Sequence, residues 1–341
     1  MRRALHLVLA GDLGAAELEL AEAARIDSSS ADVYMALANL YRARGEIGRA
    51  IQIHQNLLLQ PDLSEALRVE SLLSLALDFR AGGFLRRAAA SFEELLEADP
   101  GNLQALRELE RLRVESGDWE SAIQIRRKIG AADAATPSIL AHLWAGLGNA
   151  AALNGDEGGA RRAFRRALSR DKNCAEVYIA LGEQSLREGK ARRAIGHWQR
   201  ALPLHAALGP VLYPRFCEAF AQAGDLPAFE SLLRDRLDEN PEDAEAALWL
   251  ARAMAKQGRV DEALSALRRL LDRSPDRLAA HAEIGRLLLD ESRSADALKA
   301  FDELLGRLPL QPDRRRCTGC GSQDTRLHWR CPQCGEWDSF V

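Results

Sequence analysis

Small and apolar positions along this chain recur in register with a series of glycines. Gly11, Gly45, Gly83, Gly117, Gly155, Gly189, Gly224 and Gly258 follow one another at intervals of 34, 38, 34, 38, 34, 35 and 34 residues, and Ser292 takes the next place. Five residues after each stands a small side chain, Ala16, Ala50, Ala88, Ala122, Ala160, Ala194, Ala263 or Ala297, with Phe229 as the exception. Phe92, Phe164, Trp198 and Phe301 share a further position in the period, where they read as helix core and not as an aromatic binding box. The pattern predicts a helix–turn–helix unit in which glycine permits the tight turn and alanine lets the two helices approach closely.

A period of 34 residues is the signature of the tetratricopeptide repeat. Leu181-Gly182, Ala194, Trp198 and Ala201 make one full unit, and Trp144, Leu147-Gly148, Gly155, Ala160, Phe164 and Ala167 make another. Pro61, Pro100, Pro241, Pro275 and Pro309 are expected to end second helices, because proline cannot continue one. The two 38-residue intervals place four extra residues near 61–69 and 130–141, expected as longer loops between repeats. The predicted fold is all-α: a tetratricopeptide-repeat superhelical solenoid of about nine repeats over residues 1–311, followed by a small C-terminal rubredoxin-like or zinc-ribbon domain over 312–341.

Composition agrees with a helical chain, since 47% of residues are hydrophobic but only 6% aromatic. Residues 1–312 carry a formal charge of −5 and the remainder +1, so neither part has the basic excess of a general nucleic-acid binder. No apolar run approaches the roughly 18 residues of a membrane helix. The stretch Arg2-Arg3 and Ala4 to Ala10 has a faint look of a signal peptide, but its short apolar part contains His6, and the repeat register claims it as a helix. No G-x-S-x-G, Walker-type loop, dinucleotide fingerprint or paired-carboxylate site is present, and no catalytic residue is assigned.

The chemistry lies at the end of the chain. Cys317-Thr318-Gly319-Cys320-Gly321 and Cys331-Pro332-Gln333-Cys334-Gly335 are two knuckles separated by ten residues. This spacing can place the thiolates of Cys317, Cys320, Cys331 and Cys334 at the corners of a tetrahedron around one structural metal ion. Glycine after each second cysteine suits the sharp turn of a knuckle. Zinc is the default metal, and an all-sulfur tetrahedron also suits a single iron. Four protein ligands leave no open coordination position, and metal binding supplies folding free energy that so short a segment lacks. His328 lies between the knuckles but is redundant as a ligand. His54, His142, His197, His205 and His281 show no i,i+4 pair, and Cys174 and Cys217 read as inert core thiols.

Facing inward along the first helices, the register predicts Asn39, Arg42, Arg80, Arg107, Arg111, Asn149, Arg187, Arg252, Lys256 and Arg286, a lining suited to extended or acidic protein segments. The connector Pro309 to Asp313 reads as short and stiff, and Trp329, Trp337 and Phe340 give the small domain more aromatic surface than it can bury alone. It is therefore expected to dock on the last repeats, with Arg314, Arg315 and Arg316 near acidic helix faces.

Repeats joined to such knuckles resemble the lipopolysaccharide assembly protein B family of Gram-negative bacteria. The run Ala38 to Gln55 looks like that family's second repeat, and Arg316 through Trp337, including Leu327-His328-Trp329-Arg330-Cys331-Pro332, looks like its terminal metal domain. The resemblance implies a non-enzymatic adaptor at the cytoplasmic face of the inner membrane, one that helps a membrane AAA protease degrade the deacetylase committing precursors to lipid A. The family typically begins with a membrane-spanning helix, whereas this sequence starts almost directly at the first repeat, so either the anchor lies outside this sequence or membrane contact is expected through a partner. Two other functions fit the residues: nucleic-acid binding by the ribbon through Arg314 to Arg316, Arg326 and Arg330, and redox chemistry at a rubredoxin-like iron.

Overall fold

The computed structural model describes residues 2–27, 30–306 and 314–341. Among them are nine helix pairs, one for each predicted repeat: α1 (Arg2–Leu9) with α2 (Leu13–Ile26), α3 (Ala31–Ala43) with α4 (Ile47–Leu58), α5 (Glu65–Ala81) with α6 (Leu85–Ala98), α7 (Leu103–Glu115) with α8 (Trp119–Ile129), α9 (Thr136–Leu153) with α10 (Glu157–Arg170), α11 (Ala175–Arg187) with α12 (Ala191–Ala201), α13 (Gly209–Gln222) with α14 (Leu226–Glu239), α15 (Ala244–Lys256) with α16 (Val260–Arg273), and α17 (Leu278–Asp290) with α18 (Ser294–Gly306). The chain divides into two compact units within α9, Met1–Leu147 and Gly148–Val341.

The turn in each pair is built as the register requires. Every glycine of the series has a φ between 70° and 81°, and Ser292 adopts 60° in the last pair. All eight alanines of the second series, and Phe229, are completely buried. Phe229 fits because α13 and α14 pack less closely than α11 and α12, and its ring stacks on Phe216 and Phe220 at 6.3 and 5.6 Å. In three repeats a glycine of the first helix lies under an aromatic ring of the second. A Cβ at Gly148, Gly182 or Gly285 would meet Phe164, Trp198 or Phe301 at 2.6 Å or less.

Pro61, Pro100, Pro241 and Pro275 follow the ends of second helices, and Pro309 lies outside the described residues. The extra residues of the two long intervals are found elsewhere than expected. They lengthen the first helices α5 and α9 to 17 and 18 residues, against 13 in α3, α7 and α11, with only short additions to the loops. Four residues make about one helical turn, so the added length keeps the apolar face in register.

The unit Met1–Leu147 is centred on Leu72, Phe79, Phe92, Leu95 and Leu106. Inside it, Asp78 is fully buried between His54 Nδ1 at 2.6 Å and Arg42 Nη1 at 2.8 Å, so the charge of one first helix is neutralised by its neighbours. The unit Gly148–Val341 holds a larger core around Trp198, Leu212, Tyr213, Phe216 and Leu233. Its small C-terminal ribbon pairs β1 (Arg315–Arg316) antiparallel with β2 (Gln323–Asp324), Arg315 opposite Asp324. No helix among the described residues is long and apolar enough to cross a membrane.

Candidate metal centre

The two knuckles share one backbone plan. In the first, Cys317 N–H donates to Ser322 O at 2.8 Å and Gly321 N–H to Cys317 O at 2.9 Å. In the second, Cys331 N–H donates to Glu336 O at 2.7 Å and Gly335 N–H to Cys331 O at 2.8 Å. Gly321 and Gly335 turn through φ values of 75° and 76°, where a side chain would be strained. Isolated bridges from Cys317 to Phe340 and from Arg330 to Trp337 hold the knuckles face to face.

The four sulfurs lie within 4.8 Å of one another. Cys317 Sγ is 3.6 Å from Cys334 Sγ, and Cys320 Sγ is 3.7 Å from Cys331 Sγ. A tetrahedron with metal–sulfur bonds of about 2.3 Å has edges of about 3.8 Å, so the donor set fits one tetrahedral ion. Cys317 and Cys331 are buried, and Cys320 is exposed. The Ser339 hydroxyl, against desolvation and together with the N–H groups of Cys320 and Gly319, brings Cys317 down to about 6. The N–H of Glu336 favours the thiolate of Cys334, but desolvation and the other three sulfurs outweigh it and push this thiol up to about 12. Four clustered thiols therefore resist ionising together, and a divalent cation removes that resistance by neutralising the charge. Such a closed site supplies structural cross-linking. His328 stands outside the cluster, with Nε2 2.8 Å from Asp324 Oδ2 and its ring against Phe340.

The ribbon docks within its own unit, but not on the last repeats. Leu327 and Trp329 pack against the core that contains Trp198 and Leu212. His205 meets the Trp329 ring edge-on at 6.3 Å, with Nε2 4.0 Å from Asp338 Oδ1. The seat is the link between α12 and α13, which carries two short 3₁₀ turns, Leu202–Leu204 and Ala206–Leu208. Those turns offer an apolar ledge that the shorter links lack. Arg314, Arg315 and Arg316 have no ion-pair partner among the described residues, contrary to the expected acidic faces.

Most of the residues predicted to face inward are tied to carboxylates, several of them on the next repeat. Arg42 reaches Asp78 and also donates to Asn39 Oδ1 at 2.7 Å. Arg80 pairs with Glu108, and burial together with Arg111 lowers its pKa. Arg107 lies 3.9 Å from Asp133, Asn149 donates to Glu176 at 3.1 Å, and Arg252 donates to Glu283 at 3.0 Å. Arg286 pairs with Glu283 and Asp290, and Lys256 lies beside Cys217, whose thiol burial pushes up. Arg187 remains exposed. The acids completing this ladder were missed from the sequence. Their signal was faint but present, a carboxylate on the neighbouring first helix some 27 to 36 residues away.

Fold and centre define a tetratricopeptide-repeat protein with a C-terminal four-cysteine ribbon. Residues 316–341 match the family described as Rubredoxin metal binding domain, and tetratricopeptide-repeat families match 33–66, 73–136, 226–277 and 255–313. Lipopolysaccharide assembly protein B of Escherichia coli (strain K12) is 25% identical over 317 residues, covering 92% of this chain and 81% of that protein. The protein of that name from Haemophilus influenzae is 26% identical over 318 residues, covering 92% and 79%. The resemblance to this family therefore holds along the chain. Among solved structures, the crystal structure of MamA aligns with 47% of this chain and 94% of its own at 23% identity and a TM-score of 0.35.

Proposed function

We propose that this chain is a non-enzymatic, protein-binding adaptor that regulates lipopolysaccharide biosynthesis by promoting proteolysis of the lipid A pathway deacetylase by a membrane AAA protease. The observation that carries the reading is similarity to lipopolysaccharide assembly protein B over 92% of the chain, beside the rubredoxin-type family match over 316–341 that contains both knuckles. An adaptor of this kind raises the local concentration of substrate at the protease by holding both, and an array of repeats has surface for two partners. In this reading Cys317, Cys320, Cys331 and Cys334 hold one structural metal ion, zinc by preference, over the domain limits 1–311 and 312–341. The inner-face residues contact the partners, foremost Arg107, Arg187, Lys256 and Arg286, whose side chains are exposed. The chain works at the cytoplasmic face of the inner membrane through these proteins.

The test is affinity capture from the native organism with the wild-type chain and a Cys317→Ala/Cys320→Ala variant, together with the deacetylase half-life in cells lacking the chain. Recovery of protease and deacetylase by the wild type, reduced for the variant, and a longer half-life in the depleted cells are expected. Capture of neither protein, or an unchanged half-life, refutes the reading.

A further inference from the structure

In the unit Gly148–Val341 the repeats and the ribbon together wall a cleft of about 740 Å³. Its apolar lining comes from both sides, Ile179 and Val211 on α11 and α13, Leu327 and Trp329 on the ribbon. Leu153, at the end of α9, stands at the rim with 89% of its surface exposed.

Most polar groups of the cleft are already matched. Asn149 donates to Glu176, Gln184 donates to Glu157, and Arg215 donates through Nε and Nη2 to Glu183 at 3.0 and 2.8 Å. Arg187 differs, lining the same cleft exposed and with no carboxylate partner among the described residues. The cleft thus offers one apolar wall and one uncommitted cation. Three first helices, α9, α11 and α13, line it in succession. At interaxial spacings of about 8–10 Å they span about 20 Å, the length of about six extended residues.

We propose that this cleft seats a short extended segment of a protein partner, with a large apolar side chain against Ile179, Leu327 and Trp329 and a neighbouring carboxylate on Arg187. The inference rests on the adaptor reading for its premise that the repeats hold protein segments, and it adds the place and the chemistry. Because Leu327 and Trp329 belong to the ribbon, the seat is complete only while the metal knuckles are folded. Aromatic anchoring supplies the affinity, and the guanidinium supplies a directional, charge-assisted contact.

The experiment pans a phage-displayed library of random octapeptides on the metal-loaded full chain. Selected peptides are then measured by fluorescence anisotropy against wild type, Arg187→Ala, Arg187→Glu and Trp329→Ala. Arg187 is exposed, so its variants keep the fold, which circular dichroism checks. The expected consensus has a large apolar residue beside aspartate or glutamate, with binding weakened roughly tenfold by Arg187→Ala. Arg187→Glu should then prefer the same peptides with lysine in place of the acid. Peptides that bind Arg187→Ala and Trp329→Ala as tightly as wild type overturn the cleft and leave the adaptor reading standing, since they bind other repeats. A library that yields no binders counts against both.

Discussion

Ser292 does the work of a glycine. It takes a φ of 60° at the turn between α17 and α18, in the region where a Cβ crowds the following carbonyl. Ser292→Gly removes that crowding but also adds freedom to the unfolded chain, which offsets part of the gain. The expected result is a net stabilisation of about 0.5 kcal/mol, read as a higher urea midpoint with an unchanged slope. Tyr213 makes a second test. Its ring is fully buried and its hydroxyl donates to Asp243 Oδ2 at 3.0 Å. Burial, then the Asp243 charge, raises its pKa from 10.0 to about 12. The native state therefore keeps a proton that the unfolded state releases above its ordinary pKa, and stability falls as pH rises from 10 towards 12. Tyr213→Phe should cost stability at pH 7 yet flatten this alkaline decline, as measured by thermal unfolding across that range.

Helix pairs were the most legible elements in the sequence, because nearly every one is marked locally by a turn glycine and an alanine contact, and several by a following proline. The cysteine knuckles were equally readable, since spacing alone sets where the sulfurs can meet. Longer α5 and α9 were not, because an insertion between repeats can extend either a loop or a helix, and packing against neighbours decides. Nor was the ladder of charges, whose partners are set by the stacking of one pair on the next. Within a single pair, Arg126 shows how much a buried charge contact is worth. Its Nε lies 3.1 Å from Glu110 Oε1, both side chains are 6% exposed, and its Nη1 reaches Asp133 at 2.8 Å. Arg126→Met removes the guanidinium held against the buried Glu110 carboxylate and should destabilise the chain by up to about 3–5 kcal/mol, seen in denaturant unfolding. For the ribbon, a strong chelator should release one metal ion per chain and open residues 314–341 to protease, while far-UV circular dichroism stays close to the starting signal. Parallel loss of helix would show that the repeats depend on the metal.

For the molecule as a whole, the family resemblance and the solenoid class were legible in the sequence, and the ribbon's seat was not. Aromatic residues at the end of the chain announced that it must dock, but nothing in them named the ledge at residues 202–208. That ledge also fixes an order of events. Helix pairs of a repeat array form from contacts close in sequence, and during synthesis they emerge one after another. Leu327 and Trp329, by contrast, close a loop of more than a hundred residues onto a surface made far earlier. Docking must therefore be the last event of folding, slow in its entropy of loop closure and conditional on metal. A seated ribbon then certifies that the repeats beneath it, from α11 to α13, have already been built correctly.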